Sequence, residues 1–247
     1  MNELVFIVGV HGNERVPVRV VKRFCLKSDF IIAHPRAIQE NVRYLETDLN
    51  RSFPGNFGGS VEERLAFKLL PRINKYKRVI DLHTSSCQTL PFVIFTHRSP
   101  EHLKLALKTG IRKMVHMNKK FASGRALIDH VSVGISIECG PEKKKRTGEI
   151  VASIISNVAG GGKRESLAQG VEFYNIFGVL TKEIKKETLT QNVRPFVLVK
   201  RGEIITKRGK KAGEDFYPIL PRSKSYKNFL CLMARKTEPF ELKAIKS

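Results

Sequence analysis

The chain has 247 residues, 41% of them hydrophobic, and a formal net charge of +22 at pH 7. A chain of this length and composition can bury a substantial core, which excludes an intrinsically disordered protein. The first apolar run is too short to cross a membrane and follows no basic leader, so we expect no membrane association. The four cysteines stand singly, without a Cys-x-x-Cys pair, and therefore predict a reducing, cytoplasmic location.

The positive charge makes nucleic acid a partner class that has to be weighed. Basic clusters occur at residues 143–146 and 207–211, but lysine and arginine also recur along nearly every predicted helix. No aromatic residues alternate with them as they would in a base-stacking surface. We interpret the charge as a solvated basic surface that attracts small anionic substrates, with nucleic-acid binding as the open alternative. The oligomeric state cannot be read from this pattern.

Short apolar runs alternate with helical periodicity along the first two thirds of the chain. The apolar runs, which predict buried strands, span residues 4–10, 30–33, 78–82, 92–95 and 133–137. Helical periodicity covers residues 14–26, 61–75, 101–109 and 149–158. This alternation predicts an α/β fold, a sheet flanked by helices on both faces.

A glycine-rich break at residues 160–163 precedes a different pattern. Beyond it, short β-type runs separated by turns span residues 171–180, 196–199, 203–206, 216–220 and 229–233. We therefore predict an α/β domain over residues 1–163 and a small, mostly β C-terminal domain over residues 164–247 that covers the cleft. A phosphate-loop interpretation of the glycines is disfavoured, because Arg164 stands where serine or threonine would be needed.

Residues of the types that bind zinc follow the first and third predicted strands. His11 and Glu14 are three positions apart where a strand gives way to a helix, so both side chains can reach one ion. The third strand delivers His83, and Asp81 before it is either an orienting partner of that imidazole or a buried structural acid. Two histidines and one glutamate form the open ligand set of catalytic zinc sites, with one position left for water. We predict one Zn²⁺ per chain, with cobalt, manganese or nickel as alternative occupants.

Five segments occur in an order that resembles a known family of zinc enzymes. They are His-Gly-Asn-Glu at 11–14, Arg43 within 41–51, Asp-Leu-Asn-Arg-Ser-Phe-Pro-Gly at 48–55, Asp-Leu-His-Thr at 81–84 and Ile-Glu-Cys-Gly-Pro at 137–141. Together they resemble the succinylglutamate desuccinylase and aspartoacylase family, relatives of the zinc carboxypeptidases. The resemblance implies a zinc carboxypeptidase-like mixed sheet. It also implies hydrolysis of a small anionic N-acyl amino acid, of acetyl or succinyl type, to a carboxylate and a free amino acid.

The resemblance also implies two catalytic residues. Glu138, at the end of the last predicted strand, would be the general base that takes a proton from water and passes it to the leaving amine. Considered in isolation, the same residue could form a surface ion pair. Arg43 would polarise the substrate carbonyl, as a fixed cation where negative charge develops in the tetrahedral intermediate.

Substrate binding is implied for four further residues. Asn50 and Arg51 match a substrate-holding pair, since a guanidinium group grips a carboxylate through two hydrogen bonds; the alternative for Arg51 is a loop brace. Tyr226 aligns with a substrate-contacting tyrosine, with Tyr217 as its rival. Arg125 corresponds to an arginine that helps to bind a side-chain carboxylate of the substrate, but whether this chain recognises an acidic side chain stays open.

Three functions are therefore compared. The first is a zinc-dependent hydrolase that removes the acyl group from an N-acyl amino acid. The second is a zinc carboxypeptidase acting on peptides, which would use the same metal ligands and the same carboxylate clamp. The third is a basic nucleic-acid-binding protein without catalysis, for which steeply salt-dependent binding would be expected. A C-terminal domain that caps the cleft would favour small substrates, and an open groove would favour peptides.

Overall fold

The computed structural model describes residues 2–24, 29–160, 170–225 and 228–238. The strands within them are β1 (Asn2–Val8), β2 (Asp29–Ile32), β3 (Tyr76–Ser85), β4 (Phe92–Phe95), β5 (Lys113–His116), β6 (Val133–Pro141), β7 (Glu172–Thr181), β8 (Tyr217–Ile219) and β9 (Phe229–Thr237). The α-helices are α1 (Arg15–Phe24), α2 (Pro35–Glu40), α3 (Val61–Ile73), α4 (Pro100–Lys108) and α5 (Lys145–Ala159). Short 3-10 turns occur at Leu49–Arg51, Lys119–Ala122 and Leu127–Asp129.

The strands form one mixed sheet in the order β2-β1-β3-β6-β4-β5-β7-β9-β8. Strands β2, β1, β3 and β6 are parallel neighbours, whereas β4 runs antiparallel to β6 and β9 runs antiparallel to both β7 and β8. The parallel neighbours bring the carboxyl ends of β1, β3 and β6 to one edge of the sheet. The predicted mixed sheet flanked by helices is confirmed.

Both faces of the sheet are covered, which explains why its strands read as continuous apolar runs. Phe6 and Val8 of β1 point into a core shared with α1, α4 and α5. Val5 and Ile7 point the opposite way, into a second core that packs against α3. Because successive side chains of a strand alternate between the faces, each core receives every second residue.

The sheet continues beyond the glycine-rich break. β7 pairs with β5, and β9 and β8 extend the sheet further, so the predicted β-rich C-terminal region is confirmed. The runs predicted at 196–199 and 203–206 form isolated bridges, such as Val199 with Phe216, in place of full strands. The predicted boundary at residue 163 lies outside the described residues, and the division into two domains stays a prediction.

No helix in the described parts of the chain has the length and apolar character needed to span a membrane.

We expect the free energy of unfolding to fall in acid because His102 of α4 is buried. Its side chain is 3% exposed, contacts the Ser99 hydroxyl at 2.8 Å and accepts from the Gly134 N–H at 3.3 Å. Burial and the neighbouring His97 lower the pKa of His102 from 6.5 to about 4. The unfolded chain therefore binds a proton below pH 6.5 that the folded chain does not bind, so stability falls as the pH falls from 6.5 towards 4.

A shift of this size corresponds to about 3 kcal/mol of unfolding free energy. Urea unfolding at pH 7.5 and pH 4.5 measures the effect. His102→Gln keeps an acceptor for the Gly134 N–H without a titrating group, so its stability should fall less between the two pH values. An equal fall in the variant would contradict the assignment to His102.

Candidate metal centre

The predicted ligands lie at the carboxyl ends of two neighbouring parallel strands. His11 and Glu14 occupy the short connection between β1 and α1, and His83 lies near the end of β3. Gly12 lets this connection pack directly on α2, because a Cβ at Gly12 would lie 2.0 Å from the carbonyl carbon of Ala37. The sequence His-Gly-Asn-Glu therefore combines two potential ligands with the glycine that this close approach requires.

His11, Glu14 and His83 converge as a metal site requires. One donor atom from each lies within 4.8 Å of the others, and all three residues are buried. His11 Nδ1 lies 2.7 Å from Glu14 Oε1, and His83 Nδ1 lies 3.0 Å from Glu14 Oε2. Both imidazoles thus present the same nitrogen to one carboxylate, as expected of groups that would share an ion.

A second carboxylate supports each imidazole from behind. His83 Nε2 donates to Asp81 Oδ2 at 2.6 Å, and His11 Nε2 donates to Asp48 Oδ1 at 3.1 Å. Hydrogen bonds of this kind fix the ring orientation and the tautomer of histidines that bind metals through their other nitrogen. Of the two alternatives for Asp81, the orienting contact is therefore present. The donor set and its carboxylate partners fit a zinc ion held by two Nδ1 atoms and Glu14.

Electrostatics match the chemistry expected of these ligands. Burial alone would raise the pKa of Glu14, but the charges and hydrogen bonds of His11 and His83 outweigh it and hold that pKa well below its usual range. Burial likewise opposes a charge on His83, yet Asp81 and Glu14 raise the pKa of its imidazole. Glu14 is thus ionised without metal, and the carboxylates that stabilise a proton on His83 would also stabilise a metal cation in its place.

Substitution of Asp81, the carboxylate that contacts His83 Nε2, should lower metal affinity. Asp81→Asn keeps the shape of the side chain but weakens the acceptor for His83 Nε2, so zinc affinity should fall by about 10–100-fold. Competition against a chromophoric chelator measures this affinity. Asp129→Asn, which changes a carboxylate outside the cavity lining, is the matched control and should bind zinc as the parent does. Unchanged affinity in Asp81→Asn would contradict the supporting role.

Glu138 lies beside the ligand cluster on the next strand. It is the register partner of His83 in the ladder between β3 and β6. Its side chain lines a cavity, while its Oε2 atom is inaccessible to solvent and has no hydrogen-bond partner among the described residues. Burial, followed by the negative charge of Glu14, raises the pKa of Glu138 to about 7. An unpartnered carboxyl group of this pKa is suited to proton transfer near neutral pH, not to a surface ion pair.

Arg43 is held at the rim of the cluster by two carboxylates. Its Nη2 atom donates to Asp48 Oδ2 at 2.9 Å, and its Nη1 atom donates to Glu14 Oε1 at 3.5 Å. The guanidinium also lines the cavity that contains Glu138. The structure thus places this cation next to the ligands, as the proposed carbonyl-polarising role requires.

Asn50 and Arg51 lie in the 3-10 turn that follows Asp48. Asn50 Oδ1 accepts from the backbone N–H of Leu127 at 2.9 Å, and Arg51 Nη1 donates to the Asn50 carbonyl at 2.7 Å. Both side chains line the cavity together with His11, Glu14 and His83, called the metal-type ligands below. Loop bracing and cavity lining therefore coexist at this pair.

The other predicted substrate-binding residues are not among the described residues that line the cavity. Arg125 is 44% exposed in its side chain, donates to Glu63 Oε1 at 2.6 Å and is not among the residues that line the cavity. Tyr226 lies outside the described residues. Its rival Tyr217 is half-buried in β8 and packs edge-on against Tyr174, with ring centroids 5.3 Å apart. The roles of all three in substrate binding stay predictions.

Sequence reasoning missed a buried glutamate that shapes the loop bearing Arg43 and Asp48. Glu62 of α3 is fully buried, and its carboxylate accepts the backbone N–H groups of Leu45, Glu46 and Thr47. It also accepts from His34 Nε2 at 3.0 Å. His34 is therefore a satisfied structural histidine. An acidic residue in the first turn of a predicted helix was the available signal, but it resembles ordinary helix capping.

Glu142 is a second residue that sequence reasoning missed. Its Oε1 atom accepts the backbone N–H groups of Arg15 and Val16 at 3.1 Å, at the start of α1. Its Oε2 atom accepts from the Thr84 hydroxyl at 2.7 Å, next to His83. Glu142 therefore ties the helix that follows Glu14 to the end of β3, which fixes the spacing between ligands from two parts of the sequence.

The cavity that contains the cluster has a volume of about 370 Å³. This size lies within the range of small-molecule sites. The C-terminal region contributes to its wall through Thr181, Ser223, Asn228 and Phe229, among others. Described residues of the C-terminal region thus form part of the cavity wall.

Comparisons with known proteins agree with this geometry. A family model described as the succinylglutamate desuccinylase/aspartoacylase catalytic domain matches residues 1–159. A probable aspartoacylase of Acaryochloris marina is 29% identical over 167 residues, which cover 57% of this chain and 56% of that protein. The match thus spans little more than half the length of that relative.

Solved structures share the fold over nearly the whole chain. The crystal structure of murine aminoacylase 3 superposes with a TM-score of 0.75 at 19% identity, covering 96% of this chain and 95% of that one. A succinylglutamate desuccinylase/aspartoacylase from Rhodobacter sphaeroides gives a TM-score of 0.72 at 16% identity, covering 96% and 87%. With the family model matching well over half of the sequence, the chain belongs to the succinylglutamate desuccinylase/aspartoacylase family.

Proposed function

We propose that the chain is a zinc-dependent hydrolase that removes the acyl group from an N-acyl amino acid. The observation that carries this proposal is the meeting of His11, Glu14 and His83 with an unpartnered, raised-pKa carboxyl group, Glu138, in one cavity. Structural zinc sites are fully coordinated by protein, whereas three ligands beside a cavity are typical of catalysis. Membership of a family whose described members are desuccinylases and aspartoacylases supports the same reaction.

The bound ion would be held by His11 Nδ1, His83 Nδ1 and the Glu14 carboxylate. Zinc in such a site supplies Lewis acidity and makes hydroxide available near neutral pH. Asp48 and Asp81 keep both imidazoles oriented with Nδ1 towards Glu14. With Nε2 engaged by these carboxylates, the two Nδ1 atoms would bind the ion in their deprotonated form.

Proton transfer is assigned to Glu138. Its carboxylate takes a proton from the attacking water and delivers it to the amide nitrogen, so that the amino acid leaves as a neutral amine. The C–N bond breaks, the new C–O bond completes the carboxylic acid of the acyl product, and one water is consumed. Burial raises the pKa of Glu138 above that of an exposed glutamate, which brings the group closer to the range in which it can accept and return a proton near neutral pH.

Arg43, Asn50 and Arg51, which line the same cavity, have complementary tasks. Arg43 stabilises the negative charge that develops on the carbonyl oxygen, a contribution of about 3–4 kcal/mol for a typical oxyanion donor. Asn50 and Arg51 hold the α-carboxylate of the amino acid. Glu62 and the turn hydrogen bonds of Asp48 keep these groups at fixed positions relative to the ligands.

The C-terminal contribution to the cavity wall favours a small substrate over a peptide. Thr181, Ser223 and Phe229 line the same cavity as His11, Glu14 and His83. A carboxypeptidase needs an open groove on the acyl side of the scissile bond to accept the preceding residues of a peptide. The C-terminal residues in the cavity wall therefore support the deacylase over the peptidase.

Amine release from a panel of N-acetyl and N-succinyl amino acids tests the proposal. The protein is assayed as purified, after chelation and after addition of zinc. Release that is lost on chelation and restored by zinc is the expected result. Failure of zinc-loaded protein to cleave any member of the panel, together with cleavage of peptides from the carboxyl end, would replace the deacylase with the carboxypeptidase.

A further inference from the structure

Much of the cavity wall away from the metal-type ligands is apolar. Its side chains include Ile94, Met117, Phe121, Ile128, Leu220 and Leu232, named here the apolar wall. All of them belong to one hydrophobic cluster, which continues behind them into the core. The apolar wall is thus the surface of a packed interior.

The apolar wall adjoins the proposed carboxylate clamp. Ile128 lies in the 3-10 turn whose Leu127 N–H donates to Asn50 Oδ1 at 2.9 Å. The apolar wall also lies near Glu138. Ile94 of β4 is paired with Ser136 of β6, and Ser136 precedes Glu138 by two positions in that strand. In an amino acid the side chain and the carboxylate share the α-carbon. A carboxylate held at Asn50 therefore brings the side chain to the apolar wall.

The described lining residues offer no cation for a second carboxylate on that wall. Arg43 and Arg51 are the arginine or lysine side chains among them. Arg43 already contacts Asp48 and Glu14, and Arg51 is assigned to the α-carboxylate. Arg125, the residue expected to bind an acidic side chain, instead pairs with Glu63. A carboxylate placed against hydrocarbon without a partner is strongly disfavoured.

We propose that the substrates of this chain are N-acyl amino acids with an apolar side chain, such as leucine or phenylalanine, and that aspartate and glutamate derivatives are poor substrates. This inference rests on the proposed deacylase function and names the substrate class of the same site. Binding of a hydrocarbon side chain against the apolar wall removes apolar surface from water, which is favourable. An acidic side chain would lose its hydration there without a partner to compensate.

Hydrolysis of N-acetyl-L-leucine, N-acetyl-L-phenylalanine and N-acetyl-L-aspartate by the zinc-loaded protein tests the inference. We expect kcat/KM to be on the order of 100-fold higher for the apolar pair, the scale of discrimination that a few pocket contacts provide. A higher kcat/KM for N-acetyl-L-aspartate would overturn the substrate class and leave the deacylase function standing.

A charge placed on the apolar wall sharpens the test. Met117 is a long, partly buried side chain, so Met117→Lys should bring an ammonium group to the wall and lower the leucine-to-aspartate ratio of kcat/KM at least about tenfold. Leu90→Lys, at a 51% exposed side chain outside this cavity, is the matched control and should keep the parent ratio. Circular dichroism checks that both variants fold, and a folded Met117→Lys with the parent ratio would count against the wall.

Binding separates this inference from the proposed function. Zinc-loaded Glu138→Gln is titrated calorimetrically with N-acetyl-L-leucine and with N-acetyl-L-aspartate. Tighter binding of the leucine derivative supports the apolar substrate class even if no probe is hydrolysed, in which case the deacylase function alone fails. Equal binding, tighter binding of the aspartate derivative or no binding of either compound overturns the inference.

Discussion

Replacing Glu138 with glutamine should lower kcat for amine release by about 10²–10⁴-fold, the usual contribution of general acid–base catalysis. Glutamine keeps the shape of the side chain but can neither take the proton of water nor protonate the leaving amine. Because Glu138 is not one of the three ligands, the variant should retain the zinc content of the parent. Initial rates and elemental analysis on the same samples measure both quantities.

Glu149→Gln, which changes an exposed glutamate of α5, is the matched control and should keep the parent rate. The pH profile adds a second readout. Burial raises the pKa of Glu138 to about 7 without metal, and a bound cation would lower it. The base form is lost as the pH falls through this pKa, so activity should decline on the acid side of pH 7. A glutamine variant within tenfold of the parent rate would remove Glu138 from the mechanism.

Replacing His83 with alanine should abolish stoichiometric zinc binding. The change removes a direct ligand of the ion. The loss of affinity should therefore exceed the roughly 10–100-fold expected for loss of an outer carboxylate such as Asp81. Metal content after gel filtration measures the effect, and activity should be lost with the metal.

His11→Ala provides an independent variant, because Asp48 there retains its ion pair with Arg43. His97→Ala is the matched histidine control, since His97 stacks on His102 away from the cavity lining and should leave the zinc content unchanged. Stoichiometric zinc in folded His83→Ala and His11→Ala would show that the ion binds elsewhere.

The sequence was sufficient to predict the sheet, because its strands are buried on both faces and carry continuous apolar runs. It also placed His11 and His83 at the ends of two different strands, which the parallel pairing of β1 with β3 then brings together. Strand β5 was missed, since its four residues contain only two apolar side chains, Met114 and Val115. Helix α2 was missed because its six residues carry too little periodicity to be recognised.

The contacts that complete the site could not be predicted in the same way. Asp48 reaches His11 across 37 positions of sequence, and the contact depends on a loop shaped by buried Glu62. Such a contact leaves no periodic trace, because it is set by tertiary packing. The ion pair of Arg125 with Glu63 is another such contact, and the binding role of Arg125 stays a prediction.

Titration of metal-free protein with zinc tests the central claim most directly, with bound metal and amine release from N-acetyl-L-leucine and N-acetyl-L-aspartate measured on the same samples. The account predicts that activity rises in proportion to bound zinc and saturates at one ion per chain. Stoichiometric zinc without release from any N-acyl amino acid, or no zinc bound by the folded chain, would contradict the assignment of His11, Glu14 and His83 to a hydrolytic metal centre.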